Sequence, residues 1–315
     1  MLKFPFDITS LLLASGNSPL GHVKDHWVYR TPSGYWLWSA HVGMIVLSGI
    51  LTILIFLFVG RKIATGPESQ GTDRYVTKGA FAHMIEVICV YLRDVVVKPI
   101  LGDRTDRFIS FLWTLFFFIL INNILGLMPI MDLIELVNHF LEKPGEHGGG
   151  IPLFIGGTAT ANIWVTGALA IMSFFVINIA GMRELGVIGY LKHLTGGAPA
   201  YIAPIMVPVE IIGTFVKPFA LMVRLFANMN GGHILLATLI SMFVGMSFRL
   251  GVLPGTAISL PSLALAFAIY FLEIFVAFIQ SFIFMFLTAI FIGQLSHHGD
   301  EHHEEEGHAV SAATH

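Results

Sequence analysis

Arg224 stands where a charge is costly. It interrupts the run Phe219-Ala-Leu-Met-Val-Arg-Leu-Phe-Ala-Asn228, within a stretch from Ile205 to Phe248 that is otherwise almost wholly apolar. A charged side chain at mid-membrane depth costs about 2.5–3.5 kcal/mol on insertion scales, so it faces a partner or a water-filled path. Asn228 and His233 lie on the same stretch, and Glu273 and Gln280 on the next. A helix advances about 100° per residue, so residues seven apart lie nearly in line and residues nine apart nearly opposed. Glu210, Lys217 and Arg224 are spaced by sevens, with Asn228 one turn further on that face. His233, nine from Arg224, points the other way, and Glu273 and Gln280 share a face of the following helix. A fixed cation, an amide beside it, a titratable imidazole and a carboxyl can together accept, hold and release protons inside lipid. Each member also has a plainer reading. Arg224 could pair with Glu273 or Asp132, His233 could be a hydrogen-bonded core residue, Glu273 a buried protonated acid, and Gln280 interhelical glue. Asn122, Asn123 and Asn178 read as packing or channel-wall residues.

The elements that must carry these residues are membrane helices. The chain has 315 residues, 55% hydrophobic and 12% charged, with mean hydropathy +0.79. A soluble domain carries about 25% charged residues, so the class is a polytopic membrane protein. A net charge of −3 without a basic stripe leaves no footprint for nucleic acid. One cysteine, Cys89, excludes an intrachain disulfide. No zinc, phosphate-loop, nucleotide or nucleophile motif is present, and no cofactor or metal is expected.

Residues 1–35 read as an N-terminal segment outside the membrane, ordinary rather than a signal peptide. Residues 36–296 read as the membrane domain, with spans over about 36–59, 108–128, 163–182, 205–248 and 257–295. Aromatic Tyr35, Trp36 and Trp38 form a belt at the start of the first span. In Ala80 to Ile100 the apolar positions Phe81, Met84/Ile85, Ile88, Tyr91/Leu92 and Val95/Val96 recur at helical spacing. Glu86, Arg93, Asp94 and Lys98 fall largely between them, a pattern that predicts an amphipathic helix lying in the interface. Residues 130–160 form a polar, glycine-rich loop. The last two stretches, about 40 residues each at 1.5 Å per residue, are about 60 Å long, twice the hydrocarbon thickness. They are expected to be long, strongly tilted helices, with Pro208 and Pro218 able to kink the first.

The Lys/Arg distribution sets the orientation. Arg61, Lys62, Arg74, Lys78, Arg93, Lys98, Arg104 and Arg107 lie between the first two spans, and Arg183 and Lys192 follow the third. The N-terminus is therefore expected outside and the C-terminus in the cytoplasm. The tail, residues 297–315, holds His297, His298, His302, His303 and His308 among five acidic residues. Imidazoles and carboxylates of this kind could hold a metal, but the composition is that of a solvated, disordered end.

The string Lys217-Pro-Phe-Ala-Leu-Met-Val-Arg224-Leu-Phe-Ala-Asn228-Met-Asn-Gly-Gly-His233 resembles the signature of subunit a, the proton-channel stator subunit of F-type ATP synthases. Glu273-Ile-Phe-Val-Ala-Phe-Ile-Gln280 resembles the last helix of the same family. Many bacterial members carry Glu at position 233 and His at 273, and here the two are exchanged, as in mitochondrial members. The resemblance implies a bacterial inner-membrane protein with two offset half-channels beside a rotating c-ring, whose subunits each bear one carboxyl. It implies peripheral-stalk b subunits as further partners. Arg224 would separate the half-channels and strip protons from the ring, and His233 and Glu273 would line the outside half-channel. Asn228 and Gln280 would position Arg224 or the ring carboxyl, and Glu210 would belong to the cytoplasmic exit. A secondary ion or solute transporter with an Arg/Glu gate is the alternative; it predicts inverted repeats and broken helices, and neither is visible in the sequence.

Overall fold

The computed structural model describes residues 27–30, 36–63, 77–128, 157–193, 203–249 and 252–313. The N-terminal segment, the Gly148–Gly150 run and Asp132 thus lie largely or wholly outside the described residues. Two short strands, β1 (Trp27–Arg30) and β2 (Trp36–Ser39), pair antiparallel, with Trp27 opposite Ser39 and Arg30 opposite Trp36. Helix α1 (Ala40–Lys62) starts directly after them. The sequence reading opens the first span at Trp36; in the structure Trp36 and Trp38 belong to the strand. Aromatic residues suit a pleated pair, and Ser39 ends it by capping the helix, its hydroxyl accepting the Val42 N–H at 3.3 Å.

Helix α2 (Ala80–Tyr91) continues through a wide turn at Leu92–Val97 into the short α3 (Lys98–Leu101). A tight turn at Gly102–Arg104 then leads into α4 (Thr105–Leu127). Gly102 adopts φ +56° there, a conformation glycine takes without strain. The amphipathic pattern expected for residues 80–100 resolves into two apolar faces. Ala82, Ile85, Cys89, Leu92 and Val96 are buried, while Phe81, Met84, Val87, Val90, Tyr91 and Val95 are exposed. Arg93 bonds Asp106 at 2.7 Å, so the charges of this stretch are partly met within the chain.

After a short turn at Ala159–Ala161 come α5 (Ile163–His193), α6 (Ala203–Arg249) and α7 (Val252–Ala313). Helix α6 keeps Pro208 and Pro218 inside it. Helix α7 runs through the histidine-rich tail to Ala313, where composition predicts disorder. Extending a formed helix avoids the nucleation step, and Glu and Ala are good helix formers. Among the described residues five helical stretches are long and apolar enough to cross a membrane: Ala40–Lys62, Ala80–Leu127, Ile163–Arg183, Pro204–Leu236 and Leu260–Gln294. Apart from the hairpin, the described structure is helical, and the chain is an all-α, multi-pass membrane protein.

The chain divides into two compact units, and each long helix contributes a segment to both. Unit 1 comprises Met1–Ile50, Ile119–Thr166 and Arg224–Gln280, and unit 2 comprises Leu51–Phe118, Gly167–Val223 and Ser281–His315. Unit 2 has an apolar interior that includes Leu112, Phe116, Phe117, Phe284 and Ile292. Phe117 meets Phe56 edge-on at 5.1 Å. Gly293 permits a close approach, since a Cβ there would lie 3.0 Å from the Ile100 carbonyl oxygen. Unit 1 buries Met44, Ile119, Leu225 and Ala277 together with several polar side chains.

Candidate functional site: a polar cluster in unit 1

Helices α6 and α7 each bring a polar face to unit 1. Buried positions on this part of α7 are Ser262, Ala266, Glu273, Ala277 and Gln280, spaced by threes, fours and sevens. This is the packing seam of the helix, and it carries a carboxyl and an amide where apolar residues normally stand. Gln280 is 1% exposed and Glu273 6% exposed. The Asn228 Nδ2–H donates to Gln280 Oε1 at 3.0 Å, so two residues paired by sequence spacing meet directly. The Glu273 carboxyl fits against Gly232, where an added Cβ would come within 2.0 Å of Oε1. Gly232 is therefore part of the site. Neither carboxyl oxygen of Glu273, nor Gln280 Nε2, has a hydrogen-bond partner among the described residues. Groups of this type are costly to bury unless water or an exchanging proton serves them.

His233, one residue after Gly232, bonds Thr158 Oγ1 at 2.5 Å. The Thr158 hydroxyl also donates to the Gly126 carbonyl at 3.1 Å. A hydroxyl has one proton, so with that proton on Gly126 the imidazole Nε2–H is the donor to Thr158. His233 and Glu273 are thus neighbours through Gly232 and are not hydrogen-bonded to each other.

Thr158 opens a segment that makes one tight helical turn at Ala159–Ala161 and ends at Asn162; the sequence reading leaves its first residues in a loop. Its polar groups reach several helices. Thr160 donates to Asn123 Oδ1 at 2.8 Å, and Asn123 Nδ2 donates to the Ala277 carbonyl at 3.4 Å. Asn230 Nδ2 donates to the Ala161 carbonyl at 2.8 Å. Asn162 Oδ1 accepts the Trp164 N–H at 3.0 Å, which turns its Nδ2 toward His41 Nδ1 at 3.3 Å. His41 Nδ1 accepts that bond, so a neutral ring carries its proton on Nε2. His41, 2% exposed, was missed by the sequence reading. Its signal was an imidazole two residues inside an otherwise apolar span. Thr158, Thr160 and Asn162 left no such signal, because short polar residues near turns are common; Asn230, an amide well inside α6, carried the same kind of signal as Asn228.

Arg224 is exposed on α6 and makes no hydrogen bond or ion pair with the described residues. Leu221, Leu225 and Met229 bury the other side of the helix. Within unit 1 the Arg224 face also carries Ala227 and Gly231, and a Cβ at Gly231 would meet nothing within 4 Å. Glu210 belongs to unit 2, where its carboxylate lies 3.8 Å from Lys217 Nζ. The imidazoles of the C-terminal tail lie outside the described side chains.

Residues 42–293 match the family described as ATP synthase A chain. The ATP synthase subunit a of Myxococcus xanthus is 39% identical over 276 residues, covering 85% of this chain and 78% of the relative. That of Chloroherpeton thalassium is 39% identical over 274 residues, covering 87% and 71%. The subunit a of Anaeromyxobacter dehalogenans is 42% identical over 239 residues, covering 74% and 53%. With four-fifths of its length inside the match and these relatives at this identity, the chain belongs to the ATP synthase A chain family.

Proposed function

We propose that this chain acts as the proton-translocating subunit a in the membrane sector of an F-type ATP synthase, with Arg224 as the fixed charge that a translocated proton must pass. The observation that carries this reading is the surface around Arg224. A cation within an apolar helix, exposed, without a hydrogen-bond or ion-pair partner among the described residues, and flanked by Ala227 and Gly231, calls for an acidic partner from another chain. Small neighbours let the backbone of such a partner come close. A rotating c-ring with one carboxyl per hairpin fits both demands.

Two unit charges ~4 Å apart interact by about 4 kcal/mol at an effective dielectric near 20, equivalent to about three pKa units. That is enough for Arg224 to strip the proton from an arriving ring carboxyl. Arginine suits the post because it does not deprotonate, so it also blocks a direct leak between the half-channels. Glu273, His233 and the Thr158 hydroxyl bonded to His233 form the outside half-channel. The Asn228–Gln280 pair positions the guanidinium or the ring carboxyl, and Glu210 belongs to the cytoplasmic outlet. Each proton crossing 100 mV yields ~2.3 kcal/mol, which the ring transmits as torque. The b subunits of the peripheral stalk hold the chain against that torque. The setting is a bacterial inner membrane, with the N-terminus outside and the C-terminus in the cytoplasm.

Arg224→Ala tests the reading. ATP-driven acidification of inverted membrane vesicles is expected to vanish while the subunit content of the complex stays at the wild-type level. Arg224→Lys should also lose most of the rate, since an ammonium deprotonates more readily when desolvated and lacks the planar fork. Acidification at the wild-type rate in Arg224→Ala vesicles overturns the mechanism.

A further inference from the structure

Helix α5 changes direction at Gly186, with φ 69° and ψ 167°, a conformation essentially confined to glycine. Twelve residues of straight helix would separate positions 178 and 190 by about 18 Å. Instead the Tyr190 hydroxyl donates to Asn178 Oδ1. The Asn178 amide is itself oriented, because its Nδ2–H donates to the Phe174 carbonyl at 2.7 Å and leaves Oδ1 as the acceptor.

The reversal lays Tyr190 along a pocket of about 50 Å³ in unit 2, lined also by Asn178, Glu210, Thr214, Lys217 and Phe291. Lys217 Nζ lies 3.8 Å from the Glu210 carboxylate and 5.2 Å from the centre of the Phe291 ring. The Thr214 hydroxyl is committed to its own helix, donating to the Glu210 carbonyl at 2.9 Å. The titratable groups lining the pocket are therefore Glu210, Lys217 and Tyr190. Burial first, and the Glu210 charge second, push the Tyr190 phenol up from its ordinary range. It stays protonated at neutral pH and acts as a fixed donor rather than a relay base. On that measure a water needs about 10–15 Å³, so the pocket has room for a few. An aromatic ring released from Asn178 would be free to fall across that space.

We infer that the Gly186 reversal and the Tyr190–Asn178 bond form a latch that keeps the Glu210 pocket open to proton exchange, with Tyr190 as its positioning residue. The inference rests on the reading of Glu210 as the outlet carboxylate. The latch needs a backbone turn open to glycine and holds the ring against the pocket wall.

The test uses the intact complex in inverted vesicles, whose exposed face is the cytoplasmic one, with rates normalised to assembled complex. Tyr190→Phe keeps the ring and removes only the hydroxyl. It is expected to slow ATP-driven pumping about fivefold, the size set by one lost hydrogen bond, and to alter the dependence of the rate on external pH but not on lumenal pH. Asn178→Leu, at the other end of the latch, should match it and keeps the test readable if one variant assembles poorly. Glu210→Gln should be slower than wild type, and adding Tyr190→Phe to it should cost nothing further. A wild-type rate in Glu210→Gln sinks the outlet reading. A slow Glu210→Gln with a wild-type Tyr190→Phe, or with additive losses in the double variant, overturns the latch alone.

Discussion

One face of α7 is buried along both units, yet its chemistry changes between them. In unit 1 that face holds Ser262, Glu273, Ala277 and Gln280; in unit 2 it holds Phe284, Met285, Thr288 and Ile292. The contrast extends beyond this helix. Among the described residues, His41, Asn122, Asn123, Glu273 and Gln280 are the buried imidazole, amide and carboxyl side chains, and all lie in unit 1. The buried polar residues of unit 2 are Thr and Ser. A hydroxyl is inexpensive to bury, since it can return to its own helix, as Thr288 does to the Phe284 carbonyl at 2.8 Å. Amides and carboxyls need partners from other elements or from water. Equal burial therefore means different things in the two units: in unit 2 it builds the fold, and in unit 1, on the function proposed above, it maintains a path for charge.

That distinction breaks most visibly at Glu273 and His233. Replacing either by Leu should cut proton flux about a hundredfold, the range for loss of a proton-transfer group, with the complex still assembled. The exchange His233→Glu with Glu273→His should recover a substantial part, and additive losses in the cycle would show that the two do not share a path. Gly232→Ala should come next, lowering flux about tenfold, because the new methyl enters the space of the Glu273 carboxyl. In a Glu273→Ala background the same change should add almost nothing; a further tenfold loss there would mean that Gly232 acts on something else. Phe284→Ala sharpens the comparison from the other side. It should destabilise by about 3–5 kcal/mol, seen as a lower temperature for loss of subunit a from the complex, while flux per assembled complex stays within about twofold. A flux defect as large as that of Glu273→Leu would erase the division between the units. Truncation after Ser296 should be the mildest change, leaving ATP synthesis near wild type. A loss confined to the region around the histidine pKa of about 6.5 would instead favour proton collection by the tail.

The sequence made some of this plain and concealed the rest for physical reasons. Arg224, Asn228 and Gln280 were legible because charge and amide groups in apolar helices are rare enough to mark themselves, and helical periodicity gave their faces. The Asn228–Gln280 bond realises that spacing. Thr158 through Asn162 was not legible, because its role depends on which helices its hydroxyls and amides meet, and those are distant in the chain. Tyr190 was hidden likewise: its reach to Asn178 requires the positive φ of Gly186, and a glycine in a sequence does not announce the direction of its turn. The hairpin ahead of α1 and the helical course of the tail were not legible either, because local composition gives no account of cross-strand pairing or of a helix propagating from the membrane.

The socket at Gly232 also constrains how this protein can change over generations. A side chain at position 232 forces the Glu273 carboxyl out of its place, since a Cβ would lie 2.0 Å from the Glu273 oxygen. A lineage that enlarges 232 with 273 unchanged displaces that carboxyl, and one that shortens 273 first is short of the proposed proton-carrying group. The two sites therefore form a ratchet in which the sequence of substitutions matters as much as their identity, and a library varying both at once should reach combinations closed to single steps.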